Sequence, residues 1–217
     1  LEKVSQNLNR QVEYYTNFLK NNIQKVLDYL LKFDFIKYTD ENYRITDKGR
    51  TACMIQETHC LAITNLIESG LLNDLNEKEL LGVISCLNGL KLAEPYYNVS
   101  HIRINNADNM FSAIKCIEEN FNLFNQYEED HFIDSGGEYT YNYDFVEFIF
   151  SWYDVDNETD AKELIYDFYK ETGVFIGEII KGILKVYNII SELEKVFTEN
   201  VGMQHKLNNC KENILKF

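Results

Sequence analysis

Residues 1–217 contain a single proline, Pro95. Proline removes a backbone donor and cannot sit inside a helix or a central strand. A chain with one of them in 217 residues is therefore free to form long helices, and it lacks the punctuation of a loop-rich β-sandwich. Hydrophobic residues make up 45% and aromatics 14%, with 15 Tyr and 14 Phe. That is enough apolar surface for a real core and excludes a disordered acidic tail.

The apolar spacing fills in the helices. Val12, Tyr15, Phe18, Leu19, Ile23, Val26, Leu27, Leu30 and Leu31 recur every three or four residues, which predicts a helix over 5–34. Two short extended runs, 35–38 and 43–45, follow around an Asp40-Glu41-Asn42 turn, and Thr46-Asp47-Lys48-Gly49-Arg50 closes the hairpin. Helix, hairpin and closing segment together read as a winged-helix-like unit. Further helices are predicted over 59–68, from Asn76, over 106–124, 145–152, 160–170, 174–197 and 203–217. Ser69-Gly70 is a C-cap signal and Asn76-x-x-Glu79 a capping box, with Leu80, Leu81, Ile84 and Leu87 as the buried face. The expected fold class is all-α: a helical bundle with a small winged-helix-like helix-plus-hairpin lead-in. Its expected divisions are 1–22 as the end of a stalk-like helix, 23–55 as the lead-in, and 56–217 as the bundle.

Charge argues about partners. Thirty-five Asp and Glu against 21 Lys and Arg give a net charge of −14, which opposes a grip on nucleic acid by phosphate neutralisation alone. The imbalance is local. Residues 1–55 sit at +2, the stretch 116–161 has thirteen acids and no Lys or Arg, and residues 176–217 sit at +1. The acidic middle, including 128–160, is where loops are expected, with Gly136-Gly137 as a turn signal.

No catalytic constellation emerges. There is no Gly-x-x-x-x-Gly-Lys-Ser/Thr phosphate loop, and Glu128-Glu129-Asp130-His131 lacks the buried strand that a metal box needs, so it reads as a solvated run. His101, His131 and His205 are isolated. The five cysteines (53, 60, 86, 116, 210) form no CxxC pair, and mostly apolar flanks read as buried thiols in a reducing, intracellular compartment. His59-Cys60 has no second ligand pair for zinc. No apolar run is long enough to span a membrane. The chain begins at Leu1, which reads as a piece cut from something longer. No catalytic residue, cofactor site or metal site is expected within these residues.

One segment is more specific than its composition. Lys48-Gly49-Arg50-Thr51-Ala52-Cys53-Met54-Ile55 resembles the K-G-R-x-A-C-x-I segment of exosome-associated DExH-box RNA helicases of the superkiller and nuclear exosome-cofactor kind, just before their C-terminal helical (DSHCT) domain. Residues 68–75 (ESGLLNDL) are similar to that family's NGLFNDL, 83–87 (VISCL) to LLSCF, 148–152 (FIFSW) to VVYxW, and 175–181 (FIGEIIK) to FEGxIIR, in the same order. The similarity covers roughly residues 23–217.

The resemblance implies a C-terminal accessory domain of an ATP-dependent helicase that moves three-prime to five-prime on RNA. ATP and Mg would belong to RecA-like motor domains upstream. The bundle would brace that motor and guide single-stranded RNA. It also implies that the helix after F-x-G is the family's ratchet helix, on which the base-facing Arg and Glu positions fall at Lys185 and Asn188, with Lys181 in place of a further Arg. Lys for Arg keeps charge and loses planar stacking, and Asn for Glu removes a carboxylate. A solvated polar helix face is the other reading of these three. Trp152 likewise reads as core or as a base-stacking platform.

Two alternatives to the helicase module remain. The acidic middle could dock a basic subunit of an RNA-processing complex. A winged-helix regulator is weaker, because the helix before the hairpin offers only Lys25 and Lys32 as cations. The richness in Asn, Ile, Lys and Tyr points to an AT-rich genome, such as a large DNA virus or certain protists, and leaves nucleus against cytoplasm open. An isolated chain of this charge is expected to bind RNA weakly.

Overall fold

The computed structural model describes residues 2–92, 108–136 and 139–217, with backbone only over 2–11 and at 13 and 14. Pro95, His101, Gly137 and the first two residues of the helix expected over 106–124 lie outside the described residues. Among those described there are nine α-helices and one two-stranded hairpin, the all-α class expected.

Helix α1 (Glu2–Lys32) runs without interruption, as a stretch free of Pro and Gly allows. Strands β1 (Ile36–Thr39) and β2 (Asn42–Ile45) pair antiparallel, with Ile36 opposite Ile45 and Thr39 opposite Asn42. Asn42 is thus the first residue of a strand, and the turn is the two residues Asp40 and Glu41. Both have positive φ, +52° and +60°, the handedness that matches strand twist. The segment expected only to close the hairpin instead starts helix α2 (Asp47–Cys53). Thr46 Oγ1 accepts from Gly49 N at 3.0 Å and bonds Phe35 O at 2.9 Å, so one side chain caps the helix and ties it to the hairpin. A Cβ on Gly49 would fall 2.1 Å from Phe35 O, so the motif glycine is required by close backbone approach.

Helix α3 (Cys60–Glu68) is capped by His59, whose Nδ1 accepts from Ala62 N at 3.3 Å. It ends where Gly70 turns left-handed at φ +75°, leading into a 3-10 turn, Leu71–Asp74. The capping box at Asn76 and Glu79 opens α4 (Glu77–Ser85), and Leu80, Leu81, Ile84 and Leu87 are all buried, as expected.

Helix α5 (Asp108–His131) corrects the reading of the acidic run. Residues 128–131 are its last turn, because no Gly or Pro interrupts the spacing of Phe121, Phe124 and Glu128 along one buried face. Glu128 is 7% exposed, with Ser135 Oγ donating to its carboxylate at 2.9 Å, so it is not a solvated residue. Glu129, Asp130 and His131 are exposed. The remaining helices are α6 (Val146–Asp154), α7 (Glu158–Thr172), α8 (Ile176–Val196) and α9 (Val201–Ile214). Asn157 and Asn200 cap α7 and α9 through their side chains.

The chain forms two compact units, Leu1–Arg50 with Phe124–Gly137, and Thr51–Leu123 with Glu138–Phe217. In the first, an aromatic cluster forms the core: Tyr29 stacks on Tyr127 at 5.2 Å, and Phe33 meets Phe124 edge-on at 4.9 Å. In the second, α4 is central and packs on α6, α8 and α9. Small residues let these helices close up. A Cβ on Gly82 would meet Phe150 at 2.8 Å, and one on Gly182 would meet Phe145 at 3.1 Å. Each buried Leu, Ile or Phe in this core is worth about 1.5–3 kcal/mol of burial. Trp152 belongs here. It is 4% exposed and its Nε1 donates to Ile214 O at 3.2 Å, so it is a core residue and not a stacking platform.

Candidate functional site

Helix α8 carries the three residues singled out by sequence. Its buried face, Ile179, Ile183, Val186, Ile189, Ile190 and Leu193, recurs at helical spacing and fixes the helix's rotation. That rotation leaves Lys181 and Asn188 exposed and Lys185 half-buried, on one side of the helix. Lys181 Nζ pairs with Glu178 Oε1 at 2.7 Å, an exposed contact one turn away. Such pairs are worth about 0.3–0.5 kcal/mol, so the ammonium can leave for a better anion. Asn188 Nδ2 donates to Glu57 Oε1 at 3.2 Å. Lys185 has no ion pair among the described residues, and its Nζ lies 3.9 Å from where a Cβ on Gly89 would sit.

Glu192 extends the stripe by one more turn, and sequence reasoning missed it. It is 8% exposed, and its Oε2 accepts from the backbone N–H groups of Gln56 (3.0 Å) and Glu57 (3.1 Å). A buried carboxylate thereby holds the segment before α3 against α8 and places Glu57 beside Asn188. The signal was available in the spacing, since 181, 185, 188 and 192 are successive steps of four, three and four. An acid there looked like any other solvated charge.

A cleft of about 330 Å³ opens at the start of α8, lined by Gly89, Leu90 and Lys91 on one side and Gly173, Phe175 and Glu178 on the other. Gly89 and Gly173 both have positive φ, +77° and +73°, and form the two turns that bound it. Phe175 is 74% exposed. A row of apolar side chains, Ile176, Ile180 and Leu184, also faces out along the first half of α8.

The remaining sequence candidates do not assemble. His59 caps a helix, His131 stacks on Tyr127 at 3.9 Å, and His205 sits beside Asn209. Among the described residues no three His, Cys, Asp or Glu side chains gather in a way that could hold a metal ion. The cysteines are all free thiols: Cys86 and Cys210 are buried, Cys60 and Cys116 half-buried, and Cys53 exposed. Burial pushes the Cys86 thiol up, and burial together with the Glu77 charge pushes Cys210 up to about 12, so both are unreactive at neutral pH. Among the described residues no helix is long and apolar enough to cross a membrane.

Among the described residues the site therefore offers ammonium groups and an amide along α8 and an exposed phenyl ring at its N-cap. No curated protein shows significant similarity. The profile of the DSHCT (NUC185) domain matches residues 42–217, from the second strand of the hairpin to the end, somewhat less than the 23–217 expected. The match covers most of the chain, so it belongs to the DSHCT (NUC185) family, the C-terminal domain of superkiller-type DExH-box helicases.

Proposed function

We infer that this chain is the accessory domain of an ATP-dependent RNA helicase, bracing RecA-like motor domains and guiding single-stranded RNA along the polar side of α8. The observation that carries the reading is Lys185, which has no ion pair among the described residues and lies on the helix that follows the F-x-G segment of a DSHCT domain. Lys185 and Lys181 supply charge for phosphates, and Asn188 supplies donor and acceptor to a base edge. The domain performs no hydrolysis. ATP and Mg are handled by the motor, and the strand's tight grip comes from there, which suits a module that is acidic overall. The setting is intracellular, as part of an RNA-processing complex.

The test joins this domain to a superkiller-type motor and measures RNA-stimulated ATPase and unwinding. Lys185→Ala is expected to slow unwinding several-fold while basal ATPase holds. Unwinding equal to the parent within error removes the assignment of α8.

A second reading has its own observation. Asp154 and Glu158 are 62% and 70% exposed at their side chains and lead into α7, which adds further exposed acids. This face suits a basic protein partner. Reversing Glu158, Asp160 and Glu163 together should abolish capture of such a partner, and capture at full strength rejects the reading.

A further inference from the structure

We propose that the cleft at the start of α8 is a nucleotide subsite, in which Phe175 stacks a base and Lys91 and Lys185 hold the flanking phosphates. The proposal rests on the α8 reading and extends it by a wall that neither the motifs nor the ratchet positions include.

Three observations converge on this cleft. Its volume, about 330 Å³, is of the size of a single nucleotide rather than a long peptide segment. Phe175 lines it and is 74% exposed, so most of its ring surface is open to solvent. An aromatic face is the sequence-tolerant way to hold an unpaired base. Lys91 on the opposite wall is exposed and, like Lys185, has no ion pair among the described residues. In a chain at −14, two lysines without an ion pair among the described residues therefore stand beside one cleft.

The one acid among the described lining residues, Glu178, pairs with Lys181 at 2.7 Å, which weakens its repulsion of a phosphate while the pair is made and leaves acceptor capacity for a base edge. Gly89 explains how the two lysines approach one ligand. Its left-handed turn carries no side chain, and Lys185 Nζ comes over it from α8. An acidic peptide would use the lysines and leave the phenyl ring idle, whereas a nucleotide uses both. The subsite also continues the line of Lys181, Lys185 and Asn188 toward the N-terminus of α8, so a strand lying on that side meets it.

The 217-residue chain is titrated at low salt with a short oligouridylate carrying 4-thiouridine, followed by photocrosslinking and peptide mapping. Adducts are expected at Phe175. Phe175→Ala should weaken binding at least about fivefold, and Phe175→Trp should retain it. Lys91→Ala should reduce the salt dependence by about one phosphate contact. Phe175 is exposed enough that unchanged circular dichroism will exclude a folding artefact. Crosslinks confined to 181–188, with Phe175→Ala neutral, overturn the subsite and leave the α8 reading standing. No crosslink on α8 and no effect of Lys185→Ala overturn both. Equal competition by a polyglutamate peptide, equally sensitive to Phe175→Ala, replaces the nucleotide with an acidic protein segment.

Discussion

Glu192 is the residue on which the geometry of α8 can be tested most sharply. Its carboxylate is 8% exposed and accepts two backbone N–H bonds, at 3.0 and 3.1 Å, from Gln56 and Glu57. Hydrogen bonds to a charged group are worth about 1.5–3 kcal/mol each. In Glu192→Ala both donors lose their acceptor. Gln56 is exposed and recovers part of its loss from water, while Glu57 is half-buried and recovers less. The net cost is then about 3 kcal/mol. For a chain of this length one kcal/mol moves Tm by about 2–4 °C, so the fall should be about 6–12 °C. Glu192→Gln keeps an acceptor oxygen and loses the charge, and should cost about 1 kcal/mol. Differential scanning fluorimetry reads both, with the exposed Glu199→Ala as a control that should move Tm little. Hydrogen exchange adds a local readout, since the amides of Gln56 and Glu57 should lose protection in Glu192→Ala before the core does. A Tm for Glu192→Ala within about 2 °C of wild type, with both amides still protected, would refute the claim that this carboxylate anchors the segment.

Gly49→Ala should cost about 3 kcal/mol or more, because the new Cβ would sit 2.1 Å from Phe35 O, a backbone atom that cannot swing away; a wild-type urea midpoint would contradict this. Iodoacetamide should label Cys53 in the native protein and reach Cys86 and Cys210 only on unfolding, as mass spectrometry of timed samples will show. The Lys211 ammonium, bonded to Glu194 at 2.7 Å, has its pKa raised above 10.5 by that bond, against the opposing effect of burial. A raised folded-state pKa stabilises fully below the unfolded value and is lost as pH climbs through the folded one. The stability gap between wild type and Lys211→Met should therefore hold from about pH 7 to about pH 10 and close above that. A gap that widens in alkali would reverse the sign.

Helices were legible where one periodicity ran unopposed. The capping box at Asn76 and the buried face of α4 were read correctly because local signal and burial agree there. The acidic run was misread for a physical reason. Charge density suggested loop, yet loops need a residue that ends a helix, and Glu128 to His131 contain none. Glu128 could be buried because a serine seven residues on donates to it, a partner that no local pattern displays. The same limit applies at the site. Lys181, Lys185 and Asn188 could be named from the resemblance, since they lie on one helix. Gly89 and Lys91 could not, being brought to α8 by the fold from about a hundred residues away in sequence.

The sign of the charge was the strongest objection to a nucleic-acid role, and the fold changes its meaning. Screening confines exposed charges to about 8–10 Å at physiological salt, so a strand on α8 feels its own neighbourhood and not the whole −14. That neighbourhood holds Lys91, Lys185 and the Lys181–Glu178 pair, with Glu57 beside Asn188 and Glu192 committed to two backbone donors. Two or three phosphate contacts predict a shallow salt dependence, with a slope of about −1.4 to −2.1 in log affinity against log salt for a single strand. The acids elsewhere lower the absolute affinity without steepening that slope. In the proposed role, a domain built this way would release a strand easily once the motor steps, which suits a guide better than a clamp. A slope near −5 would mean that many more lysines are engaged than α8 and its facing loop provide, and the strand would have to be placed elsewhere.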